Sequence, residues 1–491
     1  GRGMVEQLTH YSILGISNTA TQEEIRAAFT QLMNTGSEAS TDPLAHKRLV
    51  YAYKVLGNKN TRAAYDKQLQ SSPNTGAIDG DALAIRLAFS REELGFSESP
   101  QLLYGLLEIT AVDPSQEANP PLNISILIDR STSMDGVRIE RVKTAITKLI
   151  NNLAPDDRLS IISFSDRAQV VYPSGRVTNK ASIITKIRSI RPSGGTEIYQ
   201  GLSAGVQQIK QADLSHYNNQ VVLLTDGHTY GDSESCLRLA EKIARQNIEI
   251  TAFGIGNEWN DHFLDLLVAP SGGRSIYINH PEDIVDNLQQ SVEGLGNIYA
   301  HNLCVEPEFA NSVQVRNIFK LMPFAQPVSL DDKQIRLGHL ETRTPLTVLF
   351  ELEISPQSAD AELPFSIGFS ADLLHKNGKN YRQYKKHDLP IRRNATSSEP
   401  SPEMLKAVRL FNLYQMNEKA WKEAEAGQFD MATARMQHIS TRLLEAGEEV
   451  LSQQAFAETQ RLASMETVSI EGRKGLKYGT RALMQQFSNE G

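Results

Sequence analysis

The stretch that decides the fold is SILIDRSTSMDG, residues 125–136. Its first part is apolar and is typical of a strand that ends at Asp129, and a helical pattern begins after Gly136. Between the two, Ser131 and Ser133 stand at alternate positions. Either these hydroxyls cap the helix, or together with the aspartate they hold a ligand.

Residues 121–296 alternate apolar strand-like segments with amphipathic helical segments. NISILID precedes VRIERVKTAITKLINNL, QVVLLTD precedes ESCLRLAEKIARQ, and IEITAFGIG precedes DHFLDLLVA. Apolar strands that alternate with helices are typical of a parallel sheet covered on both faces. The middle of the chain is therefore predicted to be a doubly wound α/β domain.

Polar side chains stand where ligands of an α/β sheet bind, beyond the carboxyl ends of the strands. They are Asp129, Ser131 and Ser133 after the first strand, Thr196 in the loop SGGTE, and Asp226 in LLTDG. All of them offer oxygen, which favours a hard cation, Mg²⁺ first, with Mn²⁺ or Ca²⁺ as alternatives. Three neutral hydroxyls do not complete an octahedral shell, so an open position would suit the carboxylate of another molecule.

This pattern resembles the metal-ion-dependent adhesion site of the von Willebrand factor A (VWA) domain. D-x-S-x-S, a later threonine after paired glycines, and T-D-G at a later strand end occur in the family's order, over about residues 121–296. The resemblance implies a doubly wound sheet that binds an acidic side chain of a partner protein through magnesium, and a binding module without catalysis. If D-x-S-x-S stood alone, the simpler explanation would be that Ser131 and Ser133 cap a helix and that Asp226 closes a turn. Three separate strand ends together favour the metal site.

Residues 4–70 are predicted to be helical, with Thr21 and Glu24 forming a capping box. YSILGI, TQEEIRAAF, AYKVLGN and TRAAYD resemble the J domain of Hsp70 co-chaperones, over roughly residues 9–69. The His-Pro-Asp motif of functional J domains is missing from NTGSEASTDP, and the preceding helix carries Arg26 but no lysine. We therefore expect a J-like fold that has lost ATPase stimulation and serves as a spacer or docking domain.

The flanks of the α/β region have a different character. A polar linker at 71–81 leads into strand-like segments at 82–120, and further such segments follow at 297–395. These two parts are predicted to form one β-sandwich into which the VWA domain is inserted. Residues 402–490 are predicted to form a helical domain, with two helices joined near Gly427. RKGLKYGTRALMQ resembles the closing helix of bacterial proteins with this layout.

The composition limits the function. The 491 residues carry a net charge of −8 without a basic block, which argues against nucleic acid as a partner. The two cysteines exclude a disulfide scaffold and favour a reducing compartment. No stretch approaches about 18 consecutive apolar residues, so no membrane span is expected. A cytoplasmic, bacterial protein is predicted.

The leading hypothesis is an intracellular Mg²⁺-dependent scaffold that binds an Asp or Glu of a partner protein. The alternatives are an adaptor of a chaperone or of an AAA+ ATPase of the MoxR or chelatase type, and a J-domain co-chaperone. An enzyme is not expected. GLSAG at 201–205 matches G-x-S-x-G with Ser203, but that motif needs a preceding strand, and here a glycine-rich loop precedes it.

Overall fold

The structure is a computed structural model. It describes the following residues: 10–17, 20–34, 43–63, 66, 82–115, 119–229, 231–330, 333–374 and 379–485. The chain divides into two compact units, residues 1–79 and residues 80–491.

The first unit contains the helices α1 (His10–Ile13), α2 (Gln22–Asn34) and α3 (Pro43–Leu56). The predicted capping box is confirmed: the amide of Thr21 donates to Glu24 Oε2 at 2.6 Å, and the amide of Glu24 donates to Thr21 Oγ1 at 3.2 Å. Residues 35–42, which occupy the position of a His-Pro-Asp loop, lie outside the described residues. The core of this unit is formed by Tyr11, Leu14, Ala20, Ile25, Leu49, Ala52 and Leu56.

The described part of the second unit forms three β-sheets. The strands are β1 (Leu83–Phe89), β2 (Leu94–Gly95), β3 (Gln101–Ala111), β4 (Leu122–Asp129), β5 (Arg158–Phe164), β6 (Ala168–Arg176), β7 (Asn218–Thr225), β8 (Ile248–Ile255), β9 (Arg274–Ile278), β10 (Ile298–Phe309), β11 (Val313–Met322), β12 (Gln326–Pro327), β13 (Ile335–Glu341), β14 (Leu346–Ile354), β15 (Ala361–Leu373) and β16 (Lys379–Arg392).

Helices cover the sheets and form the C-terminal region. They are α4 (Val137–Asn152), α5 (Lys180–Arg188), α6 (Ile198–Ile209), α7 (Ser233–Ala244), α8 (Asp261–Val268), α9 (Ile284–Glu293), α10 (Pro402–Glu425), α11 (Phe429–Glu445), α12 (Glu449–Met465) and α13 (Ile470–Gln485). Short 3₁₀ turns occur at Thr132–Met134, Ala269–Ser271 and Pro281–Asp283. No helix in the described residues is both long enough and apolar enough to cross a membrane.

The central sheet has the strand order β6-β5-β4-β7-β8-β9, and its strands are parallel except for β6. The sequence pattern predicted a parallel sheet, and the antiparallel edge strand β6 departs from this prediction. It follows β5 after a short turn, and so short a connection joins strands only in antiparallel order.

The central sheet is covered on both faces, as the sequence pattern predicted. Ile124, Ile126 and Ile128 of β4 share a core cluster with α4, α5 and α9. Leu127 points to the opposite face and shares a cluster with α6, α7 and α8. Because successive side chains of a strand point to opposite faces, one apolar strand supplies both cores.

The GLSAG segment is explained by packing. It lies in α6, and its two glycines face the central sheet. A methyl group on Gly201 would lie 2.5 Å from the ring of Phe164, and one on Gly205 would lie 2.4 Å from Leu127. The glycines thus allow the helix to approach the sheet closely.

Gly205→Ala is expected to lower the free energy of unfolding by about 1–3 kcal/mol, because the added methyl group has no space against Leu127. Unfolding in guanidinium chloride measures the change. Ser203→Ala on the same helix, where the side chain is half-buried, is the matched control and should change stability by less than about 0.5 kcal/mol. A Gly205→Ala protein as stable as the control would show that this contact is not tight.

Two further sheets of five strands pack face to face, with the orders β1-β3-β14-β11-β12 and β13-β10-β15-β16-β2. Aromatic side chains fill the space between them: the ring of Phe365 lies 4.6 Å from Phe89 and 5.2 Å from Phe309, and Phe309 lies 6.2 Å from Phe350. The central sheet lies between β3 and β10 along the chain. The predicted fold class, an α/β domain inserted in a β-sandwich with helical regions at both ends, is confirmed.

The helices of the C-terminal region pack against both neighbours. Phe411 and Tyr414 of α10 lie against Phe319 on the outer face of the first sandwich sheet, with ring centroids 5.7 and 5.1 Å apart. The last helix, α13, packs against the central α/β region through buried cations. Lys477 lies 2.6 Å from Asp261, and Arg481 lies 2.6 Å from Asp265.

Candidate metal centre

Two buried carboxylates form the floor of the candidate site. Asp129 is the last residue of β4, Asp226 follows β7, and these strands are neighbours, so both carboxylates reach the same edge of the sheet. Both residues have 0% exposure. Asp129 Oδ1 accepts the amide of Ser131 at 2.8 Å, and its Oδ2 accepts Thr225 Oγ1 at 2.7 Å.

Burial raises the pKa of Asp129 to about 6. The hydrogen bonds from Thr225 and Ser131 lower this pKa, and the negative charge of Asp226 raises it further. A carboxylate in these surroundings is held in place by its hydrogen bonds, and a nearby cation would stabilise its charged form.

The two serines connect the floor to the surface. Ser131 Oγ lies 3.1 Å from Ser133 Oγ, and Ser133 Oγ donates to Asp226 Oδ1 at 2.8 Å. Ser131 precedes the 3₁₀ turn, but its side chain makes no capping hydrogen bond. The alternative that Ser131 serves as a helix cap is therefore not supported. Ser133 is exposed, so the site opens to solvent on this side.

Thr196 reaches the site through a loop that is fixed by its neighbours. Asp166, in the turn that follows β5, accepts a hydrogen bond from the amide of Gly195 at 3.0 Å. A methyl group on Gly194 or Gly195 would lie 2.6 or 2.8 Å from the Asp166 carboxylate, which explains the paired glycines. Gly227 is the residue directly after Asp226. A methyl group added to it would lie 3.1 Å from Thr196 Oγ1, so the threonine hydroxyl packs beside this turn. The loop thus adds a third hydroxyl to the same edge.

The structure adds two residues that the sequence analysis missed. Thr225 donates the hydrogen bond that fixes Asp129 Oδ2, and its signal in the sequence is its place directly before Asp226 in LLTDG. Arg138 on the first turn of α4 donates from Nη1 to Asp226 Oδ2 at 2.5 Å. Its only signal in the sequence is that it is the first basic residue after the serine loop.

The donor set fits a hard divalent cation. Asp129, Ser131, Ser133, Thr196 and Asp226 offer only oxygen and gather at one edge of the sheet. In the described residues, no three His, Cys, Asp or Glu side chains group as a metal site. An ion held here would need the hydroxyls as ligands beside the two carboxylates, as Mg²⁺ with retained water accepts.

Three family models match the chain. The von Willebrand factor type A domain matches residues 123–291, the DnaJ domain matches residues 9–66, and the Sll0103-like C-terminal alpha-helical domain matches residues 402–486. The resemblances of the sequence to the VWA domain and to the J domain are thereby confirmed at the level of the domain. VWA domains commonly bind a divalent metal ion at this edge of the sheet, and both VWA and DnaJ domains indicate interactions between proteins.

The curated relatives match parts of the chain. The uncharacterized protein sll0103 of Synechocystis sp. (strain ATCC 27184 / PCC 6803 / Kazusa) is 30% identical over 257 residues, 50% of this chain and 60% of that protein. The inter alpha-trypsin inhibitor, heavy chain 4, of Mus musculus is 24% identical over 280 residues, 54% of this chain and 29% of that protein. The chain thus spans less than two thirds of the length of these relatives.

Solved structures share the fold of most of the chain. A von Willebrand factor type A protein from Catenulispora acidiphila has a TM-score of 0.65 at 15% identity, covering 82% of this chain and 98% of that one. The ArnB paralog VWA2 from Sulfolobus acidocaldarius has a TM-score of 0.55 at 15% identity, covering 82% and 99%. At this identity the likeness concerns the fold.

Proposed function

From the von Willebrand factor type A domain that this chain carries, we propose that the protein is a Mg²⁺-dependent protein-interaction scaffold. Asp129, Ser131, Ser133, Thr196 and Asp226 would hold the ion. The ion would supply a positively charged, open coordination position for the Asp or Glu side chain of a partner protein. No catalytic step is part of this proposal.

One observation carries the proposal: the ends of β4 and β7 and the loop before α6 bring only oxygen donors to one edge, with two buried carboxylates below and an exposed serine above. Burying two acidic groups side by side is unfavourable unless cations compensate them, and Arg138 pairs with only one of them, Asp226. A divalent ion compensates both and keeps affinity for a further anionic ligand.

The proposal assigns a role to each part of the chain. The J-like unit and the helical region would provide further docking surfaces. A cytoplasmic location is part of the proposal, and the free, buried state of Cys236 and Cys304 is compatible with a reducing compartment. The proposed domains are a docking unit at 4–70, a linker at 71–81, a sandwich at 82–120 and 297–395, the metal-binding domain at 121–296, and helices at 402–490.

Asp226→Ala is expected to weaken Mg²⁺ binding by at least about tenfold, because loss of residues that merely support a metal ligand already costs 10–100-fold. Isothermal titration of the full chain with MgCl₂ measures this. The fold should persist, since the partner cation Arg138 has 30% of its side chain exposed and can turn to solvent. Partner capture from a native lysate should then require both the wild-type carboxylate and Mg²⁺.

The matched control is Asp135→Ala, which removes an exposed carboxylate from the same loop without touching the five oxygen donors. It should bind Mg²⁺ like the wild type. Capture that persists in EDTA, or Mg²⁺ binding that is equal in Asp226→Ala and Asp135→Ala, would contradict the proposal.

A further inference from the structure

Arg138 lies in a cradle at the rim of the candidate site. Its Nη1 donates to Asp226 Oδ2 at 2.5 Å and to the carbonyl oxygen of Ser133 at 3.4 Å. Its Nη2 lies against Gly256, where a methyl group would stand 2.7 Å away. Gly256 has a φ of +71°, so both backbone and space at this position favour glycine. The glycine leaves the room that the guanidinium occupies.

The guanidinium changes the charge of the site. Asp129 and Asp226 carry two negative charges, and Arg138 neutralises one of them. A divalent ion would turn the remaining single negative charge into a single positive charge. With a neutral residue at position 138, the same ion would leave the site without net charge. Arg138 therefore lowers the affinity of the site for the divalent ion, and it raises the affinity of the ion-loaded site for an anion.

The donors of Arg138 suit a carboxylate. A guanidinium has five N–H donors, and in the described residues both of its hydrogen bonds start from Nη1. Planar, forked donors pair with carboxylates in a bidentate manner, which an ammonium group does not reproduce. The partial exposure of the side chain leaves it accessible at the rim, next to exposed Ser133.

We propose that Arg138 determines the specificity of the site: it receives the partner's carboxylate together with the ion, and it weakens binding of the ion by pairing with Asp226. This inference rests on the proposed function and adds to it a second cationic contact. It makes the site selective for an acidic side chain over a neutral amide of the same shape.

The test compares the full-length wild type with Arg138→Gln. Titration with MgCl₂ is expected to show ion binding about three- to tenfold tighter in Arg138→Gln, because Asp226 loses its competing partner. At saturating Mg²⁺, ligand-observed NMR with N-acetyl-glutamate methylamide is expected to show binding about three- to tenfold weaker in the variant. The glutamine analogue of the probe should bind both proteins weakly, and the preference for glutamate over glutamine should be about three- to tenfold smaller in Arg138→Gln.

Two further variants sharpen the test. Arg138→Lys keeps the charge without the fork, so it should bind Mg²⁺ like the wild type and the carboxylate probe more weakly. Arg141→Gln removes an exposed arginine of the same helix and should match the wild type in both titrations.

The possible failures are distinct. If the wild type binds Mg²⁺ but not the carboxylate probe, the proposed function fails and this inference fails with it. If the wild type binds the probe and Arg138→Gln binds it equally well, only the role of Arg138 is wrong. Opposite shifts of the two affinities in Arg138→Gln would support the inference, because a merely structural residue would not strengthen one and weaken the other.

Discussion

Asp265→Ala is expected to lower the free energy of unfolding of the second unit by about 3–5 kcal/mol, because it leaves the buried guanidinium of Arg481 without its carboxylate partner. Asp265 lies in α8 and is 8% exposed. Arg481 donates to it from both Nη atoms, at 2.9 and 2.6 Å, and Lys477 lies 2.9 Å from its Oδ2. Unfolding in guanidinium chloride, followed by the fluorescence of Trp259 and Trp421, measures the loss.

The electrostatics of Asp265 explain the size of this effect. Burial alone would raise its pKa, but Arg481 and Lys477 hold the pKa of Asp265 well below its usual range. Ser275 and Gln326 also donate to its Oδ1, at 2.7 and 2.8 Å, so the carboxylate ties the last helix, the central sheet and the sandwich together. Without it, the buried guanidinium of Arg481 has no carboxylate partner, whereas Lys477 keeps its ion pair with Asp261.

The control for Asp265 is Asp286→Ala, which removes an exposed carboxylate from α9 and should change stability by less than about 0.5 kcal/mol. The folded-state pKa of Asp265 is lowered, so its contribution is present above the pKa of the unfolded chain, about 4, and is lost only in stronger acid. An Asp265→Ala protein as stable as Asp286→Ala would show that the buried ion pairs contribute nothing.

Trp259→Ala is expected to lower the free energy of unfolding by about 3–5 kcal/mol as well, through the cavity that it creates. Trp259 is 1% exposed and lies against Gly254, where a methyl group would stand only 2.1 Å from the indole. Its Nε1 donates to the carbonyl oxygen of Gly256 at 2.6 Å, and Lys474 of α13 lies 4.1 Å from the ring centroid. The substitution thus removes a packed ring and a cation–π contact together.

The measurement for Trp259→Ala uses far-ultraviolet circular dichroism during denaturation, because one fluorophore is lost. Leu266→Ala is the control on the neighbouring helix α8, where the side chain is 40% exposed, and it should cost less than about 1 kcal/mol. A cost below that of Leu266→Ala would mean that the loop carrying Trp259 collapses around the gap or contributes little to the fold.

Much of the fold and of the candidate site could be predicted from local patterns. The capping box of Thr21 and Glu24 can be recognised from four consecutive residues, and both of its hydrogen bonds are present in the structure. The meeting of Asp129 with Asp226 follows from the rule that neighbouring parallel strands end at the same edge. Whether these oxygens bind a metal ion stays a prediction.

Contacts made far along the chain could not be predicted. Arg138 stands on an amphipathic helix, where a basic residue normally faces solvent, and its partner Asp226 is supplied by another strand. Lys477 and Arg481 similarly belong to what reads as the polar face of a helix, yet they are buried against acidic residues of α8.

Within the predicted sandwich region 297–395, the segment of β16 has no strand-like pattern of its own, because its sequence is mostly polar and charged. Of its side chains, those of Tyr381, Leu389 and Ile391 are buried, and this is too weak a pattern to predict a strand alone. It pairs with β15 along its full length. The neighbouring strand therefore determines its conformation, and tertiary pairing overrides local propensity.

The insertion between β3 and β10 also determines the order in which the chain can assemble during synthesis. The strand β3 pairs with β1 on one side, but its other neighbour, β14, is translated only after the entire inserted domain. Until then β3 presents an open, largely apolar edge of the kind that promotes aggregation. In the described residues, the strands of the inserted domain pair with one another, so this domain can fold before the outer sheet is complete. Translation therefore leaves the outer sheet exposed for as long as the ribosome needs to complete the domain inside it.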